Sequence, residues 1–212
     1  MMKLLYTPIA GYVHTVESVI HYGELQTLIE TVPTRPFDAD TTLQSINPLG
    51  KVPTLQLDSG EYLAGGPVIY EYLDSLHRRR RLFPAKGSQR WTTLRQAWMA
   101  DGLFDTFVLL ILESLQPAET HRPAYIARCW GKIVAVLDQI ERDVPQYARI
   151  DIGQMRTVGA LQFIKLKMKQ VGSATAGLDP AYDFAAGRPA LASWFKSMAR
   201  KKLFREPLIK SA

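Results

Sequence analysis

Ile46-Asn-Pro-Leu-Gly-Lys-Val-Pro-Thr-Leu-Gln-Leu57, then Asp58-Ser-Gly-Glu-Tyr-Leu63, then Ala64-Gly-Gly-Pro-Val-Ile-Tyr-Glu-Tyr-Leu73, is the stretch on which the fold turns. Asn47-Pro48 and Gly50 mark a turn. After Val52-Pro53, apolar and polar residues alternate through Thr54-Leu55-Gln56-Leu57, which is a strand signal. Asp58-Ser59-Gly60 is turn chemistry and predicts a hairpin to a second short strand around Tyr62-Leu63. Gly65-Gly66-Pro67 then opens a helix, with Pro67 near the start, where its missing N–H costs nothing. Val68, Ile69, Tyr72 and Leu73 give that helix an apolar stripe.

A proline inside a turn at the mouth of a strand is a place for a cis peptide bond, which would turn the Val52 N–H and C=O outward toward an extended ligand. The helix opening at Gly66 presents N–H groups and a positive dipole end, which favour a carboxylate. The same residues also fit an ordinary strand-turn-strand-helix unit that holds no ligand.

The residues before the stretch complete a domain. Lys3–Tyr6 reads as a buried first strand ended by Thr7-Pro8. Gly11 to about Tyr22 reads as a helix through Tyr12, Val13, Val16 and Ile20, and Leu25–Val32 as a second strand. Strand, helix, strand implies a parallel pair with a crossover. A polar loop over 33–42 and a short helical turn at Leu43–Ile46 lead into the hairpin.

Asn47-Pro48-Leu49-Gly50-Lys51-Val52-Pro53-Thr54-Leu55, the hairpin, and Val68-Ile69 before Tyr72-Leu73 resemble the glutathione-binding half of the cytosolic glutathione transferase superfamily. Gly187-Arg188-Pro189-Ala190-Leu191-Ala192-Ser193-Trp194-Phe195 resembles its C-terminal domain. The resemblance implies an N-terminal thioredoxin-like α/β domain over residues 1–77, a linker over 78–88 and an all-helical bundle domain over 89–212. It also implies glutathione as co-substrate. The residue before the cis-proline, Val52, would hold the cysteinyl part of glutathione through its backbone.

The resemblance implies a binding set of Lys51, Val52, Pro53, Gly65, Gly66 and Asp101, with two departures. An acidic residue and a serine usually bind the γ-glutamyl head, and here those slots are Gly65 and Gly66. Installing Glu and Ser there is expected to tighten binding. Asp101 is then the remaining acid for the γ-glutamyl amine, reached across a dimer, or else simply a hydrogen-bonded helix residue. The thiol-activating group has two alignments. In the serine and cysteine classes its slot falls on Ala10, which has no hydroxyl; in the tyrosine classes it falls on Tyr6. Thr7 and Tyr12 are further candidates, and a hydroxyl donor near a helix N-terminus would lower a thiol pKa. Equally, no side chain here need activate a thiol.

The second half reads as helical. Trp91–Leu115 carries Leu94, Ala97, Trp98, Leu103, Phe104, Phe107, Val108 and Ile111, with Gly102 as a place to bend. A segment from about Glu119 to Val144 carries Ile126, Trp130, Ile133, Val136, Leu137 and Ile140 at helical spacing. Asp151 with Gln154 forms a capping box, where the family carries Ser or Thr followed by Asp. Gln154 is expected to reach back to the N-cap N–H.

With 212 residues, 47% hydrophobic and 22% charged, the chain is globular in composition. It has no apolar run of membrane-spanning length and no signal-peptide core. One cysteine, Cys129, rules out an internal disulfide and fits a reducing, cytoplasmic setting. No metal-ligand pattern stands out. The net charge of +6 rests largely on Arg78–Arg81 and Arg200–Lys202. The arginine run lacks interleaved aromatics, so it reads as a solvated surface and argues against nucleic acid.

The leading expectation is a homodimeric glutathione transferase-like enzyme acting on a small apolar electrophile, or a related lyase or isomerase. The alternative is a non-catalytic relative that binds a ligand or partner, and a binder of anionic surfaces is the weaker third.

Overall fold

The computed structural model describes residues 1–8, 11–38 and 41–205. They form two compact units, one of residues up to 94 together with 201–205, the other of residues 95–200. Together they are an N-terminal thioredoxin-like α/β fold and a C-terminal helical bundle.

In the first unit, β1 (Met2–Tyr6) lies between β2 (Ile29–Pro33) and β3 (Thr54–Gln56), and β4 (Tyr62–Ala64) closes the sheet. β1 runs parallel to β2, with Leu4 opposite Thr31, and antiparallel to β3, with Leu4 opposite Leu55. The parallel pair requires a crossover, supplied by α1 (Gly11–Gly23). Val13, Val16, Val19 and Ile20 of α1 are fully buried, as are Leu4 and Leu55 of the sheet. Each such side chain stabilises by about 1.5–3 kcal/mol.

Leu25–Leu28 departs from the strand expected there. Glu24 takes a left-handed conformation (φ 57°), Leu25 N–H returns to Ile20 C=O at 3.0 Å, and Gln26–Leu28 form a 3-10 turn. The chain needs this turn to leave the helix end, and the strand begins at Ile29.

α2 (Leu43–Ile46) precedes the hairpin and α3 (Gly66–Leu76) follows it. The buried face of α3 is Gly66, Ile69, Tyr70 and Leu73, at the i, i+3, i+4, i+7 spacing of one helix face. Val68, expected in the apolar stripe, is 52% exposed. Asp74, at the far end of α3, is buried and accepts the N–H groups of Leu82 (2.8 Å) and Phe83 (3.2 Å). This fixes the segment after the exposed arginine run.

α4 (Gly87–Ser114) is one continuous helix that includes Gly102. Ala100, Leu103, Phe104, Phe107 and Leu110 are buried. Trp98, expected among the core residues, is 77% exposed, because it falls on the opposite face. In the second unit α6 (Ile152–Ala174) is buried on all sides from Ile152 to Leu161, as a central helix must be. Phe163 packs on Phe104 and Phe107, with ring centroids 4.7 and 6.1 Å away.

α5 (Pro123–Asp143) turns Ile126, Ile133, Leu137 and Ile140 inward, with Cys129 buried among them. Its Glu141 receives the N–H groups of Ala190 (3.0 Å) and Leu191 (2.6 Å), so a side chain from α5 caps α7 (Pro189–Ala199). Asp151 caps α6 by accepting Gln154 N–H at 3.1 Å. The Gln154 amide does not follow the expected route back to the N-cap: it donates to Arg149 C=O at 2.6 Å. A short α8 (Lys202–Arg205) packs on α1 in the first unit.

Candidate functional site

Asn47 builds the loop that carries Val52. It is 1% exposed. Its Nδ2 donates to Lys51 C=O (3.0 Å) and Thr54 Oγ1 (2.9 Å), and its Oδ1 accepts Leu49 N–H (3.1 Å). Thr54 Oγ1 donates to the same Lys51 carbonyl at 2.8 Å. Gly50 sits at φ 58°, a conformation that favours glycine, and closes the turn onto Asn47 C=O at 2.8 Å. The turn was legible in the sequence; that its asparagine is the buried hub was not.

Beyond this turn the Val52–Pro53 peptide bond is cis. The N–H and C=O of Val52 take no hydrogen-bond partner among the described residues. The Lys51 side chain is exposed beside them.

The opening of α3 lies in the same unit. Gly65 is its N-cap at φ 89°, where no side chain is available to cap. Gly66 is enclosed: a Cβ there would collide with the Tyr70 hydroxyl, with Tyr70 Cζ at 2.7 Å and with Tyr12 Cδ1 at 2.5 Å. The Tyr70 hydroxyl donates to Tyr12 C=O at 3.0 Å, so the first turns of α1 and α3 are joined. This corrects the expectation that Glu and Ser could simply be installed at 65 and 66. The first would strain a left-handed backbone, and the second would strike Tyr70.

The candidate thiol-activating groups are dispersed. Tyr6 is 2% exposed, and its phenol pKa is raised by burial and then by the Glu17 carboxylate of α1. The Thr7 hydroxyl donates to Thr34 C=O at 2.6 Å. Tyr12 is half-buried on the first turn of α1, with its ring against Gly66. Ala10 lies outside the described residues.

Asp101 is 7% exposed and paired with Arg156, which is fully buried on α6. Burial raises the Asp101 carboxyl, and the guanidinium opposes that shift. Arg156 escaped the sequence reading. Its signal was a cation in the first half of α6, ahead of Lys165, Lys167 and Lys169 in the second half, with an acid, Asp101, among the buried residues of α4. Among the described residues no group of three or more metal-ligating side chains comes together. No helix there is long and apolar enough to cross a membrane.

Residues 11–76 match the glutathione S-transferase N-terminal domain family. Along its whole length the chain is similar to a glutathione transferase family member from Pseudomonas fluorescens Pf-5, solved with bound glutathione. Identity is 28%, coverage is 96% of this chain and 97% of that one, and the TM-score is 0.85.

Residues 11–76 thus form a glutathione S-transferase N-terminal domain, in a chain that shares the transferase fold throughout.

A second solved transferase, from Methylobacillus flagellatus KT, shares the fold at 24% identity and a TM-score of 0.84, over 97% of this chain and 98% of that one. An uncharacterized GST-like protein, YibF, of Escherichia coli (strain K12) is 29% identical over 106 residues, 50% of this chain and 52% of that protein. That match thus spans about half the length of the curated relative. In this chain the loop that presents the Val52 backbone and the α3 N-terminus are formed. The side chains expected around it are replaced by glycine or engaged elsewhere.

Proposed function

We propose that this chain binds glutathione along the Val52 backbone, with the γ-glutamyl carboxylate at the N-terminus of α3, and transfers the thiol to a small apolar electrophile. The observation that carries this reading is that both polar backbone groups of Val52 lack partners among the described residues, at the end of a loop pinned by buried Asn47. A bound peptide would pair with them as an added strand. The Pseudomonas fluorescens family member solved with glutathione supports the same ligand. Lys51 offers a cation to a ligand carboxylate. Asp101 would add a carboxylate toward the amine only at the expense of its pairing with Arg156.

A homodimer is part of the proposal. Trp91, Trp98, Gly102, Leu109 and Leu112 recur at spacings of three, four and seven along α4 and are exposed. The two tryptophans are 69% and 77% exposed. Such a stripe suits a second copy of the same helix.

One observation favours a second reading, a non-catalytic relative. The Thr7 hydroxyl is engaged by Thr34, and Tyr6 is buried near a carboxylate, so neither side chain stands ready to donate to a thiol. Calorimetry with glutathione, followed by absorbance of the bound thiolate as the pH is raised, separates the outcomes. A bound thiol that ionises at lower pH than free glutathione supports the enzyme, binding with no such shift supports the second reading, and no binding refutes the glutathione reading.

A further inference from the structure

We propose that Tyr70 and Gly66 form a coupled pair in which the Tyr70 hydroxyl fills the side-chain slot of Gly66 and positions the first turn of α1 against that of α3. This rests on the glutathione reading, since those two helix openings are the groups that reading uses.

Three observations carry it. A Cβ at Gly66 would collide with the Tyr70 hydroxyl and lie 2.7 Å from Tyr70 Cζ, so the phenol occupies the space a residue-66 side chain would need. Tyr70 is 1% exposed, so its ring cannot swing into solvent to make room. Its hydroxyl donates to Tyr12 C=O across 58 positions of sequence, at 3.0 Å. The Tyr12 ring closes the other side of the same slot.

Gly66 and Tyr70 are one helical turn apart, so they face the same way and meet directly. Glycine at 66 is then a requirement of tyrosine at 70, not an empty position. The hydroxyl that a serine at 66 would supply to a ligand is replaced by one that joins two helices. Tyr70 is thus a positioning residue: it acts on the ligand through the α1 and α3 N–H groups whose separation it fixes.

The test is a mutant cycle on the full-length protein, reading denaturation midpoint, glutathione affinity and the pH at which bound thiol ionises. Tyr70→Phe keeps the ring and removes the donor, and Tyr12 C=O keeps its helical partner, so the protein folds. Affinity should fall about two- to tenfold, as for one lost hydrogen bond. The thiol should ionise at higher pH, a shift that loss of stability alone would not produce. Gly66→Ser alone should lose both stability and binding; Gly66→Ser with Tyr70→Leu should recover part of the stability, since the Tyr12 ring still faces the slot, while binding stays low without the hydroxyl bridge.

Wild-type affinity and thiol ionisation in Tyr70→Phe would overturn the positioning role. A double variant no more stable than Gly66→Ser alone would overturn the pairing. If the wild type binds no glutathione, the functional reading fails and the positioning role fails with it. The denaturation cycle still decides the pairing, independently of any ligand.

Discussion

Asn47→Ala tests how the candidate site is built. The side chain makes three hydrogen bonds, to Lys51 C=O, Thr54 Oγ1 and Leu49 N–H, from a position that is 1% exposed. At about 0.5–1.5 kcal/mol net for each bond, the loss lies between about 1.5 and 4.5 kcal/mol. Two features place it in the lower half. Lys51 C=O keeps the Thr54 hydroxyl as a partner, and Leu49, 71% exposed, can pass its N–H to water. We therefore expect about 2–3 kcal/mol, or roughly 5–10 °C in the melting temperature of a chain this size. Glutathione affinity should fall with it, because the loop that presents Val52 loses its order. Urea denaturation of the variant beside wild type, with calorimetry on both, gives the two numbers. A loss below about 0.5 kcal/mol would mean that the turn holds its shape without Asn47, and the hub would be refuted.

Arg156→Met should cost about 3–5 kcal/mol by stranding the buried Asp101 carboxylate, and adding Asp101→Leu should recover most of it; denaturation midpoints check both, and a single variant near wild type would refute the buried pair. Tyr6→Phe should change turnover by less than about tenfold, since its phenol is buried near Glu17. A loss of about two to four decades with glutathione binding intact would instead make it the thiol's proton donor. Trp98→Lys should convert the proposed dimer to monomer in sedimentation without lowering the melting temperature of the monomer. A wild type that is already monomeric at micromolar concentration would exclude the α4 interface.

Local chemistry explains what could be read in advance. The hairpin, the opening of α3 at Gly65-Gly66-Pro67 and the cap at Asp151 are each set by residues within a few positions of one another. The same holds for the backbone at Val52-Pro53. What escaped depends on partners far apart in sequence. Arg156 meets Asp101 across 55 positions, and Glu141 caps α7 across 49 and 50. Trp98 was misplaced for a different reason. α4 is apolar around most of its circumference, and spacing alone does not distinguish a face turned to the core from one left exposed. Leu25–Leu28 has strand-like residues, but the left-handed Glu24 obliges the chain to turn first.

The replaced side chains bear on the chemistry the proposed enzyme could perform. With the Thr7 proton directed to Thr34, and Tyr6 buried, a bound thiolate would rely on the N–H groups and dipole at the opening of α1. A helix N-terminus favours an anion by about 0.3–1 kcal/mol, which corresponds to roughly 0.2–0.7 of a pKa unit. A thiol that starts above neutrality then stays mostly protonated at pH 7, and only a minor fraction is nucleophilic. Turnover would be low with unreactive electrophiles and would rise with pH until the bound thiol is fully ionised. The rate limit would thus lie in thiolate supply, and a substrate reactive enough to capture a sparse thiolate is the kind this site could serve. That is also where the non-catalytic reading parts from it, because a chain kept only for binding would show no such rise.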